Sequence, residues 1–252
     1  MYKQPERERN AAPPVTAVLL DLDDTLFDQG RAVRGGLEAI AARFEPLTRV
    51  PFDQLRDAHD TLLDRLHLDV LRGRLSVDQA RRIRLGSLLA DAGVGATEQD
   101  LETAVTAYRR GYVDAWCAIP GAHALLERLR RDARIAIVSN NARDEQLAKL
   151  RACRLEKLVD AIVVWEDTLI AKPDPTMFRV SLERLGAQAR EAVVVGDSWS
   201  SDVMGAEAAG IRAVWFNRRG VKCPDTNLAT EIRALEPTET VARVILGLTA
   251  VA

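Results

Sequence analysis

An α/β protein, with a parallel-sheet core interrupted after its first strand by an all-helical block, is the fold class the sequence predicts. Three observations support it. From residue 120 onward, short β-branched runs alternate with segments of helical period, the pattern of right-handed βαβ units. Near the N-terminus, VTAVLLDLD is one further apolar run of the same style, long enough for a buried strand of about six residues. Between them, residues 28–115 place apolar side chains at three- and four-residue intervals and contain no convincing strand.

Residues 1–14, MYKQPERERNAAPP, are charged and proline-containing with no apolar stretch, which predicts a disordered arm and not a signal peptide. Residues 15–27 supply the first strand and its acidic end. The block 28–115 reads as a helical cap built from GGLEAIAARF, FDQLRDAHDTLLDRLHLDVLRG, SVDQARRIRLGSLLADAG and EQDLETAVTAYRRGYVDAW, with Gly or Pro breaks between them. Residues 116–252 return to alternation. PGAHALLERLRRD, ARDEQLAKLRAC, DPTMFRVSLERLG, SSDVMGAEAAG and ETVARVILGL are the helices; RIAIVSN, AIVVW, AVVVGD and RAVWFN are the strands. Such continuous β-branched runs suit a parallel sheet covered on both faces. The two crossings between core and block, near Phe27–Gly30 and Asp114–Pro120, are the expected hinges.

Composition narrows the class. A chain of 252 residues with 47% hydrophobic residues can bury a substantial core, and a net charge of -2 gives no global reason to expect nucleic acid or an anionic membrane as partner. Cys117, Cys153 and Cys223 are odd in number and without a CxxC, which argues against a disulfide framework or zinc cluster and suits a reducing cytoplasm. His59 and His67 lie eight apart, not at the spacing of a helical metal pair, and read as surface or core side chains. No apolar run approaches transmembrane length.

Ligands of open parallel sheets collect at the carboxyl ends of the strands, and here those ends are polar together. The first strand ends in Asp21-Leu22-Asp23, RIAIV in Ser139-Asn140 and AVVVG in Asp197; the loop after AIVVW presents Lys172. A carboxylate cluster repels an anionic substrate unless a cation intervenes, and hard oxygen ligands suit Mg²⁺. With Lys172 as a point charge for phosphate oxygens, and Ser139 and Asn140 as hydrogen-bond donors, the set points to phosphoryl chemistry. A carboxylate can serve as nucleophile through an aspartyl-phosphate. Residues two apart in an extended segment share a side, which puts Asp23 beside Asp21 as acid and base.

The ordered set DLDDT, SN, KPDP and GDSWSSD resembles the four motifs of the haloacid dehalogenase superfamily. The likeness runs over nearly the whole chain, and the block 28–115 resembles the helical C1-type cap of subfamily I. It implies a Rossmann-like core and a set of roles. Asp21 would be nucleophile and Mg²⁺ ligand, and Asp23 acid/base with its backbone carbonyl on the metal. Asp197 would be a direct ligand. Asp202 would hold a metal water or Lys172, while Ser139, Asn140 and Lys172 would bind the transferring phosphoryl group. Thr25 would brace the first loop. Leu169 departs from the pattern, since relatives often carry Gly three residues before the lysine.

WFNRRG and the cap segment SVDQARRIRLGSLL resemble small-metabolite phosphatases of the family. The expected activity is therefore Mg²⁺-dependent hydrolysis of a small phosphorylated metabolite by a monomer or homodimer. Asp23 argues against dehalogenation, and the absence of lysine from 28–115 argues against Schiff-base chemistry in the cap. A phosphosugar mutase remains as the alternative. A non-catalytic binding protein on this fold would be expected to lose a catalytic group, and none is lost. Asp24 reads as a turn or packing residue, Asp28 as a solvated hinge acid, and Asp174 and Asp225 as turn residues. Ser200 and Ser201 read as caps of a helix near Asp202. Trp116, Trp165, Trp199 and Trp215 read as packing residues, with Trp199 a candidate for the site entrance. Arg81, Arg82 and Arg84 read as a solvated face, although an arginine in the cap would suit an anionic leaving group.

Overall fold

The computed structural model describes residues 13–248, so the arm expected over 1–14 lies outside the described residues except for Pro13 and Pro14. The core is one six-stranded sheet in the order β3-β2-β1-β4-β5-β6, with every pairing parallel. Its strands are β1 (Ala17–Leu20), β2 (Arg134–Ser139), β3 (Ala161–Val164), β4 (Ala192–Gly196), β5 (Arg212–Phe216) and β6 (Ala229–Ile232). The chain builds one half outward from β1 and then returns to β4 on its other side. That reversal opens a crevice between the carboxyl ends of β1 and β4, where ligands of such sheets bind.

The two-residue period of each strand divides the core. Val18, Leu20, Ile135, Ile137, Val193 and Val195 enter one apolar layer. It is covered by α6 (Ala122–Leu129) and α11 (Thr238–Leu246), with Leu150 from α7 (Arg143–Ala152). Leu19, Ala136, Val138 and Val194 enter the other, beneath α9 (Thr176–Leu185) and α10 (Met204–Ala209). Both faces are therefore dry, as the unbroken β-branched runs require.

The inserted block contains α1 (Gln29–Ala41), the short α2 (Glu45–Thr48), α3 (Phe52–Leu71), α4 (Val77–Asp91) and α5 (Glu98–Asp114), and it has an apolar cluster of its own. Its first and last helices cross at Gly35 and Gly111. A Cβ on Gly35 would lie 2.5 Å from the Gly111 carbonyl oxygen, and one on Gly111 would lie 2.3 Å from that of Gly35. Only glycine lets the two backbones meet so closely. The two chain crossings pair with each other: Phe27 bridges Ala118 in antiparallel fashion, Asp28 N–H donates to the Cys117 carbonyl at 3.0 Å and Ile119 N–H to Leu26 at 2.8 Å.

Three local expectations change. β6, with sequence ATEI, is an edge strand without an apolar run and was not legible as one. Trp165 opens the short helix α8 (Trp165–Thr168) instead of ending β3. Ser198, not Ser200 or Ser201, caps the wide turn Trp199–Val203: its hydroxyl accepts from Ser201 N–H at 3.2 Å. No helix among the described residues is long and apolar enough to cross a membrane.

Candidate active site

Asp21 follows β1 directly. Its backbone N–H still donates to Val195 of β4, so the strand pairing fixes the residue at the crevice. The side chain is held from two sides: Lys172 Nζ donates to Oδ1 at 2.7 Å and the Thr25 hydroxyl to Oδ2 at 3.2 Å. Lys172 Nζ also donates to Asp202 Oδ1 at 2.7 Å and to the Val138 carbonyl at 2.8 Å, which uses all three of its protons. Burial opposes the lysine's charge, but Asp202 and Asp21 more than offset this and raise its pKa. Asp202 Oδ2 accepts from Ser198 N–H at 3.0 Å. The turn brings it so close to β4 that a Cβ on Gly196 would lie 2.2 Å from that oxygen.

Asp197 ends β4. Its carbonyl accepts from the Trp215 indole at 2.8 Å and its N–H donates to the Thr25 hydroxyl at 3.1 Å, so its backbone is fixed. Its carboxylate has no hydrogen-bond or ion-pair partner among the described residues. Burial, followed by the charges of Asp21 and Asp202, pushes its pKa up to about 8. Asp21 is likewise raised to about 7, by burial against the opposing pull of Lys172. Oxygens of Asp21, Asp197 and Asp202 lie within 4.8 Å of one another. Three hard oxygen donors carrying more negative charge than one lysine neutralises form a donor set that fits a divalent cation.

Asp23 belongs to a separate network. β1 stops at Leu20, but its two-residue period carries on, since Leu22 enters the same apolar layer as Val18 and Leu20; the left-handed backbone of Asp24, φ +58°, ends it. The Asp23 carboxylate turns to α7, accepting from Lys149 Nζ at 2.7 Å, Gln146 Nε2 at 2.8 Å and Asn141 Nδ2 at 2.6 Å. Burial opposes its ionisation, but these donors outweigh it and hold the carboxyl below its ordinary value. Lys149 is fully buried and also bonded to Glu145 at 3.0 Å. Sequence reasoning missed Asn141, Gln146 and Lys149, although a signal was present. Helix α7 has few apolar residues, and Gln146, Lys149 and Leu150 share one face at three- and four-residue spacing.

Ser139 is buried at the end of β2, and its hydroxyl oxygen accepts from Gln146 Nε2 at 2.6 Å and Asn141 N–H at 3.2 Å. With both acceptor positions used, its proton is free to donate elsewhere. The side chain of Asn140 is occupied differently from expectation. Its two ends clamp the backbone of Lys172, accepting from its N–H at 2.8 Å and donating to its carbonyl at 3.1 Å. Leu169 adopts φ +56°, the glycine-like path at which the sequence departs.

Other acids are structural. Asp24 accepts from Gly30 N–H at 3.0 Å, and Asp174 and Asp225 accept within their own turns. Asp28 is not a solvated acid: it caps α1 at Arg31 N–H, 2.9 Å, and pairs with Arg218 at 2.9 Å, its side chain only 13% exposed.

A cavity of about 550 Å³ lies between block and core, with Asp23, Asn140 and Asn141 on one wall and Arg81, Arg84 and Tyr108 on the other. His67, Trp116 and Trp165, read above as plain surface or packing residues, line it as well. Trp199 does not; it packs edge-on against Trp215 at 5.1 Å. His59 is a core residue, its Nε2 2.9 Å from the Tyr108 hydroxyl. Of the three clustered arginines, Arg82 pairs with Glu98 on the outer face, whereas Arg81 and Arg84 face the cavity. Burial, with Arg81 adding to it and Tyr108 opposing, pushes the Arg84 pKa down.

A Rossmann-like sheet with a carboxylate-lysine site at its switch point and a helical insertion after the first strand defines a haloacid dehalogenase-type hydrolase. The chain belongs to this family: the model of the haloacid dehalogenase-like hydrolases matches residues 15–210. It is 32% identical over 241 residues to a phosphoserine phosphatase of Thermus thermophilus, covering 86% of this chain and 94% of the relative. It is 32% identical over 203 residues to a ribulose-1,5-bisphosphate 5-phosphatase of Halopiger xanaduensis, covering 80% and 84%. A crystal structure of the HAD-hydrolase YfnB from Bacillus subtilis, bound to magnesium, superposes with a TM-score of 0.74 at 26% identity, covering 92% of this chain and all of the other.

Proposed function

We propose that the protein is a Mg²⁺-dependent phosphatase that hydrolyses a small phosphorylated metabolite through an aspartyl-phosphate on Asp21. The observation that carries this reading is the buried Asp21–Lys172–Asp202 chain beside the unpartnered carboxylate of Asp197. Membership of the family and the two curated phosphatase relatives support an enzyme of the phosphoric monoester hydrolase class. In this reading residues 28–115 form a cap over a core of 15–27 and 116–252.

Asp21, Asp197 and the Asp23 backbone carbonyl would hold Mg²⁺, with Asp202 in support. The ion would supply charge neutralisation that lets a phosphate dianion approach two carboxylates. Lys172 and the free Ser139 proton would bind the phosphoryl oxygens, stabilising charge as it develops. Asn140 acts one step removed, by fixing the backbone that carries Lys172. An Asp21 oxygen attacks phosphorus as the ester P–O bond breaks, and Asp23, which must first take up a proton against the pull of Lys149, gives that proton to the departing alkoxide. Water then attacks the aspartyl-phosphate, Asp23 takes its proton, and the P–O bond to Asp21 breaks to release inorganic phosphate. The Lys149 pair favours the ionised Asp23 needed in this second half. Thr25 ties the loops of β1 and β4 together throughout.

Phosphate release from p-nitrophenyl phosphate tests the reading. Activity should vanish in EDTA and return with Mg²⁺, and Asp21→Asn should lower kcat by about 10⁴-fold. Turnover that ignores EDTA, or survives Asp21→Asn, would sink the mechanism.

A further inference from the structure

We propose that the leaving group of the natural substrate bears an anionic oxygen group of its own, a carboxylate or a second phosphate, and that Arg84 receives it. The inference deepens the phosphatase reading above and rests on it. Arg84 is 7% exposed, its Nε is buried without a hydrogen-bond partner, and it forms no ion pair among the described residues. The other two buried cations among the described residues, Lys149 and Lys172, are each bonded to two carboxylates. A buried charge without a partner is costly, and the fold tolerates one where a ligand completes it.

The position is a built one. Arg84 lines the cavity that also exposes Asp23, and its guanidinium stands 5.7 Å over the Tyr108 ring. Tyr108 is fixed in turn by His59, and His59 Nδ1 lies 2.9 Å from Asp60. Arg81 and Arg109 line the same wall but share Asp78, at 2.6 and 3.9 Å. The acids around the cavity do not serve Arg84. Asp23 and Glu145 are held by Lys149, and Asp64 and Asp144 make no ion pair with it. A planar guanidinium is suited to carboxylate or phosphate, which it can grip with two parallel hydrogen bonds. A neutral leaving group, such as a nucleoside or an uncharged sugar, would leave the cation as it stands.

Matched substrate pairs test this in the intact enzyme: 3-phosphoglycerate against glycerol 3-phosphate for a carboxylate, and fructose 1,6-bisphosphate against fructose 6-phosphate for a second phosphate. The native protein should favour the more anionic member of at least one pair by about 30-fold in kcat/KM, the worth of one charge-assisted contact. Whichever pair responds identifies the group. In Arg84→Met that ratio should fall below about threefold, and Arg84→Gln gives the same comparison should the methionine variant not fold. Hydrolysis of p-nitrophenyl phosphate with no preference in either pair overturns this inference and leaves the phosphatase reading intact. A preference that persists without Arg84 overturns it too. No hydrolysis of any phosphoester removes both.

Discussion

Core and block each bury a cation, and they treat it in opposite ways. Lys172 spends all three protons on Asp21, Asp202 and a backbone carbonyl. Arg84, nearly as buried, has an aromatic ring and empty space in front of it. The core lysine is part of a finished ion network, which sets the geometry of Asp21, the proposed nucleophile, before anything binds. The arginine is one half of a pair. The contrast separates two jobs that a phosphatase must do: acting on the phosphoryl group, which every substrate shares, and reading the remainder, which differs.

The same substitution made at both cations should have opposite effects on stability. Lys172→Met leaves two buried carboxylates unpaired and should cost about 3 kcal/mol of stability, measured by urea unfolding in EDTA so that no metal compensates. Arg84→Met should be neutral or stabilising by up to about 1 kcal/mol in the same assay, because it removes an uncompensated charge. Equal losses at the two sites would mean that Arg84 is not unpartnered in solution. Next in size, Ala80→Glu places a carboxylate one turn before Arg84 on the cavity wall, and a glutamate four residues ahead of an arginine is well set to pair with it. It should lower any preference for anionic leaving groups by about 10-fold while protecting the fold. The smallest effect concerns the loop that carries Lys172. Leu169 stands at φ +56° and is 77% exposed, so Leu169→Gly should relieve strain and add about 1 kcal/mol of stability without altering substrate preference.

How much of this was legible in the sequence follows from where each signal resides. β1 to β5 are apolar and β-branched because both sheet faces are covered, so their runs were plain; ATEI lies at an edge and carries no such mark. Asp21, Asp197, Ser139 and Lys172 could be placed because strand ends and the loops just past them fall together in a parallel sheet. Asp23 could be placed but its partners could not. Pairing with Lys149 depends on how α7 packs, and a lysine in a charged helix looks like a solvated one. The arginine trio could have been split further. Arg81 and Arg84 are three apart and share a face, whereas Arg82 points elsewhere. The pairing of Arg81 with Asp78 is local, three residues apart in one helix; that no acid from another element pairs with Arg84 among the described residues is the tertiary fact.

The antiparallel contact between the two crossings has a mechanical consequence. Phe27 and Ala118, with the bonds from Asp28 and Ile119, make the entrance and exit of the insertion into one narrow ribbon. Two independent tethers would let the helical block slide, twist and tip. A ribbon resists shear in its own plane and yields across it, so this pairing would favour rocking of the block about a single axis over sliding.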